Sequence, residues 1–151
     1  MKTILAPIDF SEVSGAVVAE SSSLARAFGG RVVLLSVIQP PVITSEYAPM
    51  MENLSEIIAG GEKAAAKNLA KIEEKLRAES ISTETVQLNG APVAHIIEQA
   101  QKYSADYIVM GSHGHTAVYD VLVGSTTHGV VKRAKCPVVI MPLKTKKLDK
   151  N

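Results

Sequence analysis

Short apolar runs without alternation recur along this chain, each separated from the next by a longer segment of helical period. Val32-Val33-Leu34-Leu35 and Val138-Val139-Ile140-Met141 are the clearest of them. A strand that is apolar at every position has to be covered on both faces, as happens in a parallel sheet sandwiched between helices. Parallel strands also need helical crossovers, so the pattern specifies an α/β domain of wound βα units. Five strands are expected, at residues 3–8, 31–38, 83–88, 106–111 and 137–142.

The segments between them carry helix signals. Ser11 stands as N-cap of a first helix with an apolar stripe of Val13, Val17, Leu24 and Phe28, and Gly29-Gly30 stop it. A second helix runs to about Glu79 on Ala65, Leu69, Ile72 and Leu76. Pro92 opens a third, with Val93, Ile96, Ile97 and Ala100 inward, and residues 124–134 form a fourth. Lys132, Arg133 and Lys135 lie near the end of this last helix, where its dipole favours cations. Residues 39–51, with Pro40, Pro41 and Pro49, are expected to be a long mobile connection. The strand at 83–88 alternates polar and apolar residues, so one of its faces meets water and it belongs at a sheet edge.

Length and charge narrow the function classes. A chain of 151 residues can bury a self-sufficient core in one domain, expected over residues 1–143 with a charged tail at 144–151. Sixteen Lys and Arg against 15 Asp and Glu give no broad positive field for nucleic acid or an anionic membrane, so neither is expected as a partner. The one cysteine, Cys136, fits a reducing compartment and reads as a small apolar residue beside Pro137. With no run of about 18 apolar residues, a membrane span is not expected, and the cytoplasm is the expected location.

The stretch that carries chemistry is Gly111-Ser112-His113-Gly114, followed after nine residues by Gly124-Ser125-Thr126-Thr127 at a helix start. Glycine lets the backbone adopt positive φ and come close to a ligand, so Gly111 and Gly114 can turn amides toward an anion. The helix start offers free N–H groups and three hydroxyls to a phosphate chain. In open parallel sheets ligands bind beyond the carboxyl ends of strands where the strand order reverses. Asp9 and Gly111 both sit at such ends, and if the first and fourth strands are neighbours, Asp9 faces the same crevice and can accept from ribose hydroxyls or approach a metal. Other motifs fail on spacing: Gly60-Gly61-Glu62-Lys63-Ala64 is no P-loop, the first βα turn Ile8-Asp9-Phe10-Ser11 has no glycine for a dinucleotide fingerprint, and Ser112 directly after Gly111 excludes a nucleophile elbow. His113, His115 and His128 lack metal-ligand spacing and are expected to line the phosphate loop or to face solvent.

At these residues the chain resembles the nucleotide-binding members of the universal stress protein family, whose hallmark G-x2-G-x9-G-[ST] is matched by Gly111, Gly114, Gly124 and Ser125. Ala6-Pro7-Ile8-Asp9, Ser36-Val37, Met110-Gly111 and Cys136-Pro137-Val138-Val139 extend the likeness over almost the whole chain. The resemblance implies an adenine-nucleotide alpha-hydrolase-like fold with strand order 3-2-1-4-5 and helices on both faces. It also implies adenine near Val37 and the first strand end at Ala6 and Pro7, ribose near Asp9, and phosphates over Gly114, Gly124, Ser125 and Thr126, with Met110 and Gly111 at the strand end between them. The implied ligand is ATP or a related adenine nucleotide, with or without Mg2+. His115 stands where the family commonly has a longer basic residue. Family members are often homodimers paired through the last strand, and an apolar edge strand is independently expected to be covered, here by Val138–Met141 pairing with its own copy.

Three functions compete on this basis. The leading one is a nucleotide-sensing regulatory module in stress response, with occupancy acting on residues 39–51 or on the dimer surface. A slow ATP hydrolase or self-phosphorylating enzyme is the rival, weakened because no Lys or Arg occurs between Gly111 and Thr127. The third is a scaffold that uses only its dimer surface.

Overall fold

The computed structural model describes residues 1–40, 53–115 and 122–143. Most of the expected connection at 39–51 and all of the tail at 144–151 lie outside the described residues. Nine elements follow in order: β1 (Thr3–Pro7), α1 (Ser14–Phe28), β2 (Arg31–Ile38), α2 (Leu54–Ala78), β3 (Ser82–Asn89), α3 (Pro92–Lys102), β4 (Tyr107–Gly111), α4 (Ser125–Arg133) and β5 (Val138–Met141). The strands form one sheet in the order β3-β2-β1-β4-β5, parallel at every pairing. The expected strand order holds, as do the edge position of β3 and the adjacency of β1 and β4.

The unalternating runs are explained by two cores. Alternate residues Ile4, Ala6, Val32, Leu34 and Val109 point to one face, where Val17 and Ala25 of α1 and Leu69 and Leu76 of α2 cover them. The intervening residues Leu5, Val33, Leu35, Ile108 and Met110 point to the other, under Ile96 of α3 and Val130 of α4. A strand with period two therefore carries apolar side chains at every position, because both faces are dry. After β1 the chain crosses to α1 on the first face, and after β4 it crosses to α4 on the second. The two strands pair at Ile4↔Tyr107 and Leu5↔Ile108, so their carboxyl ends diverge and leave a crevice between them.

Two details of α1 differ from the expectation. The helix starts at Ser14 with Val13 in the N-cap position and no side-chain cap, and the Ser11 hydroxyl is buried without a hydrogen-bond partner among the described residues. The reason is Asp9, whose Oδ1 accepts from the Ser11 amide at 3.0 Å and from the Ser14 hydroxyl at 3.3 Å and so organises the turn two residues earlier. Phe28 is 44% exposed and not in the stripe; its ring stacks on Tyr107 with centroids 5.6 Å apart. The stop is as expected, with Gly29 left-handed at φ 59° and the Gly30 amide donating to the Ala25 carbonyl at 2.7 Å. Cys136 is half-buried against the second core, and burial, helped by the Asp106 carboxylate, raises its thiol pKa and keeps it protonated.

Candidate functional site

Beyond the carboxyl ends of β1, β2 and β4 lies a half-open cleft of about 1340 Å³. Nine of the residues singled out in the sequence line it: Pro7, Asp9, Val37, Met110, Gly111, Gly114, Gly124, Ser125 and Thr126. Ala6 does not. It is 0% exposed and packs in the first core, one residue behind the cleft wall.

Two turns separated in sequence meet at the floor of this cleft. The Gly124 amide donates to the Ser112 carbonyl at 2.7 Å, and the Thr127 hydroxyl donates to the Gly111 carbonyl at 2.7 Å. Ser112 fixes the strand end itself, its amide donating to the Met141 carbonyl at 2.8 Å and its hydroxyl accepting from the Leu143 amide at 3.0 Å. The start of α4 is thus bolted to the ends of β4 and β5. Intrahelical bonding in α4 begins with His128 donating to the Gly124 carbonyl, which leaves the amides of Ser125, Thr126 and Thr127 as the orphan donors of the first turn. Gly124 has no side chain to cap them. What remains is a concentration of N–H groups and partial positive charge at the cleft surface, the arrangement that receives anions.

The glycines serve this geometry differently from the expectation. Among the described residues the glycines with positive φ are Gly29 and Gly90, so Gly111, Gly114 and Gly124 need no left-handed backbone. Gly111 and Gly114 are required by space. A Cβ at Gly111 would overlap the Val13 side chain, and one at Gly114 would stand 2.5 Å from Oδ2 of Asp9. Of the three expected hydroxyls, that of Thr127 is buried and already committed to the Gly111 carbonyl.

Asp9 joins the two halves. Its Oδ1 holds the β1–α1 turn and its Oδ2 lies against Gly114, so the carboxylate sits between the strand end and the glycine turn. His113, His115 and His128 all line the cleft. A nitrogen of His113, Nδ1, lies 2.9 Å from the Ser112 hydroxyl, and Nε2 of His115 donates to the Asp9 carbonyl. Among the described residues no three His, Cys, Asp or Glu side chains converge as a metal site.

The opposite wall was not legible in the sequence. Gly61, Ala64, Ala65 and Asn68 of α2 line it, with Ser36 and Gln39 from the end of β2 and Pro92 and Ile96 from α3. Small residues one turn apart in α2 were the available signal, but exposed Ala and Asn on a helix read as a solvated face.

Comparisons with known proteins place this architecture. Universal stress protein MJ0531 of Methanocaldococcus jannaschii is 32% identical over 141 residues, 93% of this chain and 81% of that protein. The solved structure of MJ0577 from the same organism is 28% identical with a TM-score of 0.81, covering 96% of this chain and 98% of that one. At the level of fold alone, the universal stress protein from Archaeoglobus fulgidus solved in complex with dAMP matches with a TM-score of 0.65 at 21% identity, over 93% of this chain and 97% of that one. Residues 1–142 match the Universal stress protein family, and with the sheet order and the glycine-spaced turns already in place, the chain belongs to that family.

Proposed function

We propose that this protein binds ATP, or a closely related adenine nucleotide, as a regulatory module in stress response. The observation that carries the proposal is the uncapped first turn of α4, held against the end of β4 by the Gly124–Ser112 hydrogen bond. Phosphates would lie over the amides of Gly114, Ser125 and Thr126 with Gly124 between them, and the Ser125 and Thr126 hydroxyls would donate to their oxygens. Ribose would sit at Asp9. Adenine would occupy the apolar end of the cleft between Pro7 and Val37, with Ala6 supporting Pro7 from behind and Met110 and Gly111 below. The dAMP held by the Archaeoglobus fulgidus protein supports this class of ligand for the fold. Any Mg2+ would be carried by the phosphates themselves, since no three His, Cys, Asp or Glu side chains among the described residues converge to hold it.

A binding role is favoured over efficient phosphoryl transfer, since no Lys or Arg is among the described residues lining the cleft to stabilise charge on a transferring phosphoryl group. Regulation further requires that nucleotide bind two states of the protein unequally. No helix among the described residues is long and apolar enough to cross a membrane. The cytoplasm is proposed on a separate ground, the single cysteine, which fits a reducing compartment. Calorimetric titration should show saturable heat with ATP, and mass spectrometry of the denatured protein should find a released adenylate. Absence of heat with ATP, ADP and AMP alike would overturn the assignment.

The dimer surface is proposed at β5. Among the described residues Val138–Met141 pairs with β4 on one side only, and Ile140 is 36% exposed. An apolar edge left open is a template for another strand. Sedimentation at micromolar concentration should give a dimer, and Ile140→Lys should give a monomer; a monomeric parent protein would remove this surface from consideration.

A further inference from the structure

We propose that His113, His115 and His128 select the charge of the bound ligand: as imidazolium ions they favour a triphosphate over a monophosphate, so that ATP is held more tightly as pH falls. The inference rests on the nucleotide reading above and deepens it. Anion sites ordinarily combine helix amides with a Lys or Arg. Here the described lining residues include neither, and their titratable side chains are one carboxylate, Asp9, and these three imidazoles. The α2 wall contributes Gly61, Ala64, Ala65 and Asn68 and the α3 wall Pro92 and Ile96, none of which titrates. Protonation of the three imidazoles therefore takes the described lining residues from a formal charge of −1 to +2.

Their placement fits this role. His113 and His115 flank Gly114 on the first turn, and His128 lies in the first turns of α4, so the imidazoles stand on both elements that carry the anion-receptive amides. They do not converge on one another as metal ligands do among the described residues. Nε2 of His115 is already a donor, to the Asp9 carbonyl, so the second proton enters at Nδ1. The Ser112 hydroxyl beside Nδ1 of His113 can rotate to accept from it once it is protonated. Histidine is the side chain whose ordinary titration spans physiological pH. A phosphate chain nearby favours imidazolium, so the complex holds more protons than the separated partners. By linkage, affinity then rises as pH falls, and the gain levels off once the imidazoles are protonated in the free protein. A triphosphate, with more charge to pair, gains more than a monophosphate.

Binding of ATP, AMP and inorganic triphosphate is to be measured between pH 8 and pH 6 for the parent protein and for His115→Asn/His128→Asn. One proton taken up corresponds to about tenfold per pH unit, so ATP and inorganic triphosphate should tighten about tenfold or more across the range and AMP by about threefold or less. Calorimetry in two buffers of different ionisation heat should register the proton uptake directly. The double variant, which keeps His113, should lose most of the slope, and protonation of ATP itself is common to both proteins and cancels in their comparison. A flat pH profile for ATP that binds, or a variant that keeps the parent slope, overturns the histidine assignment alone. Absence of binding by all three ligands at every pH overturns the nucleotide assignment with it.

Discussion

Gly111→Ala is expected to destabilise the fold by about 1–3 kcal/mol, and combining it with Val13→Ala should recover part of that loss. A methyl group at residue 111 overlaps the side chain of Val13, which is 6% exposed and sits in the N-cap position of α1. Neither partner can yield cheaply. Gly111 is registered between β4 and β5, and Val13 is pinned by the Asp9 turn. Val13→Ala alone removes buried carbon and costs about 1–3 kcal/mol. It also opens the space the Gly111→Ala methyl needs, so the double variant should be more stable than the sum of the two losses predicts by about 1 kcal/mol. Urea unfolding of the four proteins measures this coupling, and simple additivity would refute the contact. Gly124→Ala is the contrast, with φ −70° and nearest neighbours at 3.5 and 3.7 Å, and it should change stability by no more than about 1 kcal/mol.

The glycine-spaced turns show what the sequence can and cannot disclose. Their spacing marks a turn and a helix start because glycine is the residue that admits close approach, yet spacing does not say what approaches. At residue 111 it is Val13, from the far end of the chain, and at residue 114 it is Asp9. The strands were legible because Val32 to Leu35 are apolar at successive positions, a pattern only two-sided burial permits. β3 was legible as an edge because its polar alternation admits a wet face. Pattern alone puts the start of α1 too early, at Ser11, because a hydroxyl before an apolar stripe is a strong cap signal, and the competing acceptor, the Asp9 carboxylate, stands two residues upstream. The α2 wall was hidden for a different reason: Ala64 and Asn68 face a cleft and not a core, so they carry no hydrophobic period.

Asp9→Asn is expected to weaken ATP binding by about 10- to 100-fold, the range for a hydrogen bond to a charged acceptor, while leaving the fold intact. The amide oxygen that this substitution introduces can still accept from the Ser11 amide and the Ser14 hydroxyl, so the β1–α1 turn keeps its organising contact. The second oxygen, beside Gly114, becomes an NH2 group that cannot accept from ribose. One effect runs the other way. Loss of the carboxylate removes its repulsion of the phosphates, worth about 1 kcal/mol or less at about 4 Å in a water-exposed site, so ATP affinity alone understates the lost ribose contact. Pairing each protein with 2′,3′-dideoxy-ATP cancels the phosphate contribution, because both ligands carry the same triphosphate. The parent protein should prefer ATP over the dideoxy form, and Asp9→Asn should scarcely distinguish them. If the variant discriminates as the parent does, ribose lies elsewhere in the cleft and Asp9 serves the turn alone.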